Sequence, residues 1–355
     1  MESKNHNTGL PPFPEGWFFI GTRKSILARQ LIQKTWMGQE VVIWCDQKGR
    51  ICVSDAFCPH LGSHLGPEAG GKVLDGCLTC PFHGFQYDSN GQCVATPYAP
   101  PPVNARLKVY ETREILGLVF AWWGRGDRKS QWSLPDAPPA GEEWSQMGFR
   151  TLQFAGHPQE TTENSVDLAH LRYVHGYDNV HQVGPVSVDG PYLKSFFDFL
   201  RVRTYAAGLI TLRHDISAKT HVYGLGYSFV DIHEKSIGMD SRLWVLATPV
   251  DSKKTELTLV GQTREIRKPK RFIHGLGFLP VSWRASLINH IFLTMEKLDV
   301  LQDTGIWSRK QYRDKPRLSR SDGEIAAYRR YCRQFYSDTI PETGSQPREL
   351  RSKWG

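Results

Sequence analysis

The stretches CPHLGSHLG (58–66) and CPFHGF (80–85) each set one cysteine beside one histidine: Cys58 with His60, and Cys80 with His83. Thiolate and imidazole are good metal donors, and four of them at these spacings point to a metal. The pattern C-x-H…C-x-x-H constrains the fold more than any other feature of the chain. Two short loops must be held tip to tip, which calls for a stiff scaffold behind them. In a zinc finger of the familiar kind the histidines follow both cysteines. Here each loop supplies one of each, so structural zinc is the weaker reading.

The arrangement suits a two-iron, two-sulfide cluster of Rieske type, in which two cysteines hold one iron and two histidines the other. Neutral nitrogen ligands raise the reduction potential of such a cluster. Glycines in both loops give the backbone the freedom to close around it. On these residues the region resembles the Rieske domain of the Rieske non-haem iron oxygenases. One departure from that family is length: nineteen residues separate His60 from Cys80, and the glycine-rich GPEAGG (66–71) is where a loop absorbs the excess. Cys77 makes a C-x-x-C with Cys80 and reads as a small buried residue, while His64 reads as a loop histidine near the cluster. Cys45, Cys52, Cys93 and Cys332 have no partner pattern.

Around these loops, residues 17–125 read as an all-β domain. EVVIWCD (40–46) and ICVSDAF (51–57) are strand-like and flank a turn, GFQYDSNGQCV (84–94) carries a hairpin signal, and LGLVFAWWG (116–124) reads as a buried closing strand. A proline-rich stretch inside 126–150 is the connector, preceded by an N-terminal arm (1–16) and followed by a second domain (151–340) and a tail (341–355). In that second domain TTENSVDLAHLRYVHGY (161–177) reads as one helix, 192–262 as strands, and 282–312 as a helix. Ser321 and Glu324 are spaced as a capping box opening a last helix.

A Rieske cluster alone needs only about a hundred residues, and this chain of 355 leaves more than half unexplained. The 161–177 segment offers Asp167, His170 and His175. His170 lies three residues after Asp167, on one helical face, and His175 follows five later, beyond a helix end that Gly176 permits. Two imidazoles with one distant carboxylate form the facial triad of non-haem Fe(II) oxygenases, which leaves positions open for O2 and substrate. From spacing alone Glu296, Asp299 and Asp303 are equal candidates for the carboxylate. His157 and His181 are the alternative histidines.

Most of the chain resembles the Rieske oxygenases, in CPHLG, CPFHGF, GLVFAWWG, ENSVDLAHLRYVHGY and QDTGIW, and it is most similar to their ketosteroid 9α-hydroxylase and cholesterol 7-desaturase branch, chiefly in ENSVDLAHLRYVHGY and DGCLTCPFHGF. The resemblance implies an α+β protein: an N-terminal all-β Rieske [2Fe-2S] domain, then a helix-grip catalytic domain in which a curved antiparallel sheet wraps a helix. It selects Asp303, in QDTGIW, as the third Fe(II) ligand with His170 and His175. It implies that Asp167 bonds His170 and bridges to His83 of a neighbouring subunit in a homotrimer, carrying electrons between them. Asn164 would face the iron pocket. Electrons would come from NAD(P)H through a separate ferredoxin or flavin reductase, and the substrate would be a steroid or sterol-like polycycle, hydroxylated or desaturated. Another polycyclic, aromatic or alkaloid substrate is the alternative, and a pure electron-transfer protein the more distant one.

Composition limits the other classes. No G-x-G-x-x-G follows a strand, so no dinucleotide site is expected on this chain. The net charge of +8 and the basic runs at 309–320 and 328–334 suit an acidic redox partner better than nucleic acid. Seven cysteines without a disulfide framework, no signal-peptide pattern and no run of about 18 apolar residues read as a cytoplasmic protein without a transmembrane segment.

Overall fold

A computed structural model describes residues 9–137, 141, 143–205, 210–236, 238–264 and 279–336. Among these, one compact unit comprises 15–137 with 249–252, and the other comprises 9–14, 141–248 and 253–336. The tail 341–355 lies outside the described residues, as does 265–278.

The first unit is built on three antiparallel sheets. Gly16–Thr22 and Thr112–Ile115 flank Leu118–Trp123, whose first five residues are buried. Leu31–Trp36, Gln39–Cys45, Ile51–Asp55 and Val109–Tyr110 form the second sheet. Lys72–Leu74, Cys77–Thr79, Gln86–Tyr87 and Cys93–Ala95 form the third. The turn expected in 84–94 forms: the Asp88 carboxylate accepts the N–H groups of Asn90 and Gln92, both at 2.9 Å, and fixes the hairpin. A helix at Arg23–Arg29, absent from the sequence reading, is capped by Thr22 Oγ1, which accepts from Ser25 N–H at 3.1 Å.

The second unit is a sheet of eight antiparallel strands wrapped on the helix Val281–Trp307. Along the sheet run Gly148–Ala155, Lys254–Thr263, Met239–Pro249, Tyr227–Glu234, Ile210–Tyr223, Tyr192–Tyr205 and Asp178–Gln182, with Ser187–Asp189 pairing Tyr192–Tyr205. The helix can approach because the cross-strand pair Gly148 and Gly261 carries no side chains. A Cβ at either position would meet Leu293 at 2.5 or 2.7 Å. Asn289 Nδ2 also donates to the Gly261 carbonyl at 2.9 Å. Leu293 is fully buried there with Phe154, Leu257, Leu259 and Trp307, the kind of burial that contributes about 1.5–3 kcal/mol per large side chain.

Two expectations need correction. The segment 161–177 is not one helix but two, Pro158–Glu163 and Leu168–Tyr173. Asp167 caps the second with its carboxylate, and a capping residue has extended backbone that a continuous helix does not allow. The last helix, Gly323–Arg333, opens one residue later than the expected box at Ser321 and Glu324, with Asp322 at its N-cap, and the Glu324 carboxylate accepts from Gln182 Nε2 at 3.4 Å.

Candidate metal centres

The two Cys–His loops are built alike. In each, the glycine four residues after the cysteine donates its N–H to the cysteine carbonyl: Gly62 to Cys58 at 2.9 Å, and Gly84 to Cys80 at 3.1 Å. Both glycines have left-handed backbone, φ 77° and 66°, which a side chain would strain. A second bond closes each loop, with Cys58 N–H donating to the Ser63 carbonyl and Cys80 N–H to the Phe85 carbonyl, both at 2.8 Å. This pairing presents the two imidazoles together, with His60 and His83 ring centroids 4.8 Å apart.

The donor set fits a Rieske cluster on an observation independent of the motif. His60 Nδ1 and His83 Nδ1 are buried polar atoms without a hydrogen-bond partner. An orphaned buried nitrogen is costly in a protein interior, and two on neighbouring rings suit lone pairs reserved for metal. Cys58 and Cys80 are each only 2% exposed. Burial pushes the Cys58 thiol up, even though its Sγ lies 3.0 Å from the Tyr87 hydroxyl. The bystanders are engaged elsewhere: His64 Nδ1 accepts from Gly66 N–H at 2.9 Å and its Nε2 lies 3.2 Å from Glu40, while Cys77 sits on the strand facing Leu74. Leu61 and Phe82, beside the two histidines, are 66% and 62% exposed.

In the second unit His170, His175 and Asp303 converge, each offering one donor atom within 4.8 Å of the others. His170 Nδ1–H donates to the Asp167 carbonyl at 2.5 Å, and His175 Nδ1–H donates to Gln302 Oε1 at 3.1 Å. Both bonds fix the tautomer that leaves Nε2 as the free lone pair, the arrangement a ligating histidine needs. His175 Nε2 stands 3.5 Å from Asp303 Oδ2. Asn164 Nδ2 donates to that same carboxylate oxygen at 3.1 Å. Burial holds the His170 imidazole below its ordinary range, whereas at His175 the adjacent Asp303 carboxylate outweighs burial and raises it.

The rival candidates fall to other partners. Asp299 accepts from the Tyr177 hydroxyl at 2.6 Å and pairs with Arg201, and Glu296 pairs with Arg201 at 2.6 Å. His157 is buried and caps Pro158–Glu163, its Nδ1 accepting from Gln159 N–H at 3.1 Å and its Nε2–H donating to the Pro11 carbonyl at 3.0 Å. Burial drives its pKa down to about 4. His181 is exposed. Asp167 corrects an expectation in one respect: its carbonyl, not its carboxylate, accepts from the His170 ring. The carboxylate instead accepts two backbone N–H groups on Oδ1, from Ala169 at 3.1 Å and from His170 at 3.2 Å. Gln302, Tyr177 and Arg201 were not singled out from sequence; only Gln302, next to Asp303, carried a local hint.

These donors open on a cavity of about 600 Å³ between the sheet and the helix Val281–Trp307. Its walls are mostly apolar, with Phe197, Phe199, Ile216, Val230, Leu243 and Phe292 among them. That volume lies in the range of small-molecule sites.

An all-β unit bearing paired Cys–His loops, followed by a helix-grip unit with a largely buried two-histidine, one-carboxylate group, defines the class: the Rieske non-haem iron oxygenases. Within it the chain belongs to the family of the 3-ketosteroid 9alpha-hydroxylase C-terminal domain, whose family model matches residues 121–336, while the Rieske [2Fe-2S] domain matches 16–111. The chain is 28% identical over 349 residues to the oxygenase component of 3-ketosteroid-9-alpha-monooxygenase from Rhodococcus rhodochrous, covering 95% of this chain and 88% of the relative. It is 29% identical over 355 residues to cholesterol 7-desaturase nvd 1 from Ciona intestinalis, covering 94% and 71%. Among solved structures, Pseudomonas putida CBB5 NdmA with caffeine shares the fold, with a TM-score of 0.66 at 17% identity and 89% of each chain covered. Proteins of this class carry a [2Fe-2S] cluster and a mononuclear Fe(II), use O2, and draw on NAD(P)H through a separate partner.

Proposed function

We propose that this chain is the oxygenase component that hydroxylates or desaturates a steroid or sterol-like substrate. Cys58 and Cys80 would hold one iron of the cluster and His60 and His83 the other, while His170, His175 and Asp303 would hold Fe(II). When bound, the two centres supply single-electron transfer and the reductive activation of O2. The remaining work belongs to the chain. Asn164 holds the Asp303 carboxylate, and Gln302 and the Asp167 carbonyl set the two imidazoles. The apolar walls exclude water and grip a rigid polycycle. The observation that carries this reading is the convergence of His170, His175 and Asp303 on an apolar cavity. The steroid and sterol names of its relatives support the substrate class.

Metal and sulfide analysis of purified protein, with EPR of the reduced state, tests the reading. Three irons and two sulfides per chain are expected; zinc alone would overturn it, and two irons with two sulfides would leave only an electron carrier.

The proposal includes a homotrimer in which Asp167 of one subunit meets His83 of the next. Exposed Leu61 and Phe82 beside the cluster histidines support a docking surface there. No partner for Asp167 Oδ2 occurs among the described residues, which leaves it available to a neighbour. A cytoplasmic location fits seven cysteines of which none is in a disulfide. Among the described residues no helix is long and apolar enough to cross a membrane. The capping role of Asp167 sharpens its test. Asp167→Ala removes the cap as well, at a cost of about 1 kcal/mol. Asp167→Asn keeps a good cap, so its stability and metal content should match the parent while turnover falls about tenfold or more. Full turnover in Asp167→Asn would remove the carboxylate from electron transfer.

A further inference from the structure

Arg201 lies on the strand Tyr192–Tyr205, two residues beyond Phe199 and directly across from His214 in the neighbouring strand. It lines the cavity and is 5% exposed. Its guanidinium is held by partners that line the same cavity: Nη1 donates to Glu296 Oε1 at 2.6 Å, Nη2 donates to Asp299 Oδ2, and the Tyr177 ring lies 5.4 Å from its centre. Burial alone would lower its pKa, but Glu296, Tyr177 and Asp299 more than offset this, so it is always charged. Those contacts use the two terminal nitrogens and leave Nε–H, a buried donor with no partner. Only one other cavity-lining side chain among the described residues has a buried unpartnered polar atom, Thr161 Oγ1. A hydroxyl both donates and accepts and can turn about its bond; Nε–H donates only, in a direction set by two ion pairs.

We propose that Arg201 is the polar anchor of the substrate site, its Nε–H donating a hydrogen bond to a neutral ketone or hydroxyl oxygen at the end of the ring system away from the oxidised carbon. The inference rests on the oxygenase reading above and adds the chemistry of recognition. The oxygen is neutral because two carboxylates already face one guanidinium here, and buried Glu234, 3.6 Å from His214, adds another at the same end of the sheet. A ligand carboxylate would bring further negative charge into a water-poor site, which is strongly disfavoured. Position follows from the helix. Glu296 and Asp299 precede Asp303 by seven and four residues, so at 1.5 Å per residue the anchor sits roughly 6–10 Å along the helix from the iron ligand. Oxidation then falls in a ring other than the one that carries the anchored oxygen.

The test measures binding to the holoenzyme by calorimetry, using androst-4-ene-3,17-dione, its two analogues each lacking one ketone, and an analogue in which a carboxylate replaces a ketone. In the parent protein one deoxy analogue should bind roughly 10–100-fold more weakly than the dione, with the other close to it, because its loss leaves the buried donor unpaired. The carboxylate should bind at least as poorly. Arg201→Lys keeps a cation between the two carboxylates but has no donor at the Nε position. Arg201→Met/Glu296→Gln/Asp299→Asn removes the charges together, which spares the fold an unpaired buried ion. In both variants the dione and the deoxy analogues should bind within about threefold of one another. A parent that does not discriminate, a variant that still does, or tight binding of the carboxylate would each overturn the assignment. Iron content is measured in parallel. A parent without mononuclear iron that still discriminates sinks the oxygenase reading alone; full iron without discrimination sinks the anchor alone.

Discussion

Replacing His170 with alanine strips the mononuclear iron and spares the cluster, so the protein falls from three irons to two while both sulfides and the visible colour remain. The separation is expected because the two donor sets belong to different units, one on the loops around Cys58 and Cys80, the other on the elements carrying His170, His175 and Asp303. With two donors left, the site cannot hold Fe(II) in the facial geometry that leaves room for O2 and substrate. Substrate-dependent O2 uptake should drop on the order of a thousandfold or more, since the activating centre itself is gone. Two companions sharpen the result. Asp303→Asn should lose the same iron, whereas His181→Ala, at an exposed position, should change neither iron nor turnover. Loss of cluster colour in His170→Ala, or retention of all three irons, would contradict the ligand set.

What the sequence revealed about these centres depended on distance along the chain. The cluster loops were legible because cysteine, histidine and glycine recur within five residues in each, and the repeated bond from glycine N–H to cysteine carbonyl is a local device. His170 and His175 also stand close along the chain, and the structure brings both to Asp303. Asp303 was one of three carboxylates until resemblance selected it. The structure supplies the physical distinction: Arg201 engages both Glu296 and Asp299, from about a hundred residues upstream, and leaves Asp303 to Asn164. Strand alternation places Arg201 on the same face as Phe197 and Phe199, yet nothing local says that this face meets the helix Val281–Trp307. The break between Glu163 and Leu168 is hidden in the sequence because apolar spacing runs on across it, and only Asp167 ahead of Leu-Ala-His signals the new helix start. The late basic runs read as surface, but Lys310 and Arg329 are partly spent inside the unit, on Glu160 and Glu163.

That inner use of Arg329 sets the second large effect. Pro158–Glu163 is buried along its whole length although five of its six residues are polar. It leads directly into Asn164, and so it positions the group that holds Asp303. Behind it stands the last helix: Tyr328 donates its hydroxyl to the Gln159 carbonyl at 2.6 Å, and Arg329 Nε donates to Glu163 Oε2 at 2.8 Å. Lys310 reaches Glu163 from another side at 3.0 Å. Arg329→Met keeps the packing volume but leaves Glu163 with Lys310 alone. Removing one partner of a buried pair costs about 3–5 kcal/mol, and with Lys310 still present the lower end applies, about 3 kcal/mol. The melting transition of the catalytic unit should fall by roughly 6–12 °C. The pH dependence gives the cause away. Burial pushes the Glu163 carboxyl up, but Arg329 and Lys310 outweigh it and hold it below its ordinary value of 4.5. A depressed carboxylate contributes fully above that value and loses its contribution as pH falls through the lower folded one. Neighbouring Glu160 is pushed up by burial and works in the opposite sense, favouring the folded state as it protonates. The gap between parent and Arg329→Met should therefore be widest near neutral pH and narrow below about 4.5 in calorimetric melts. A gap that stays constant across that range would place the loss in packing of the arginine stem rather than in its charge.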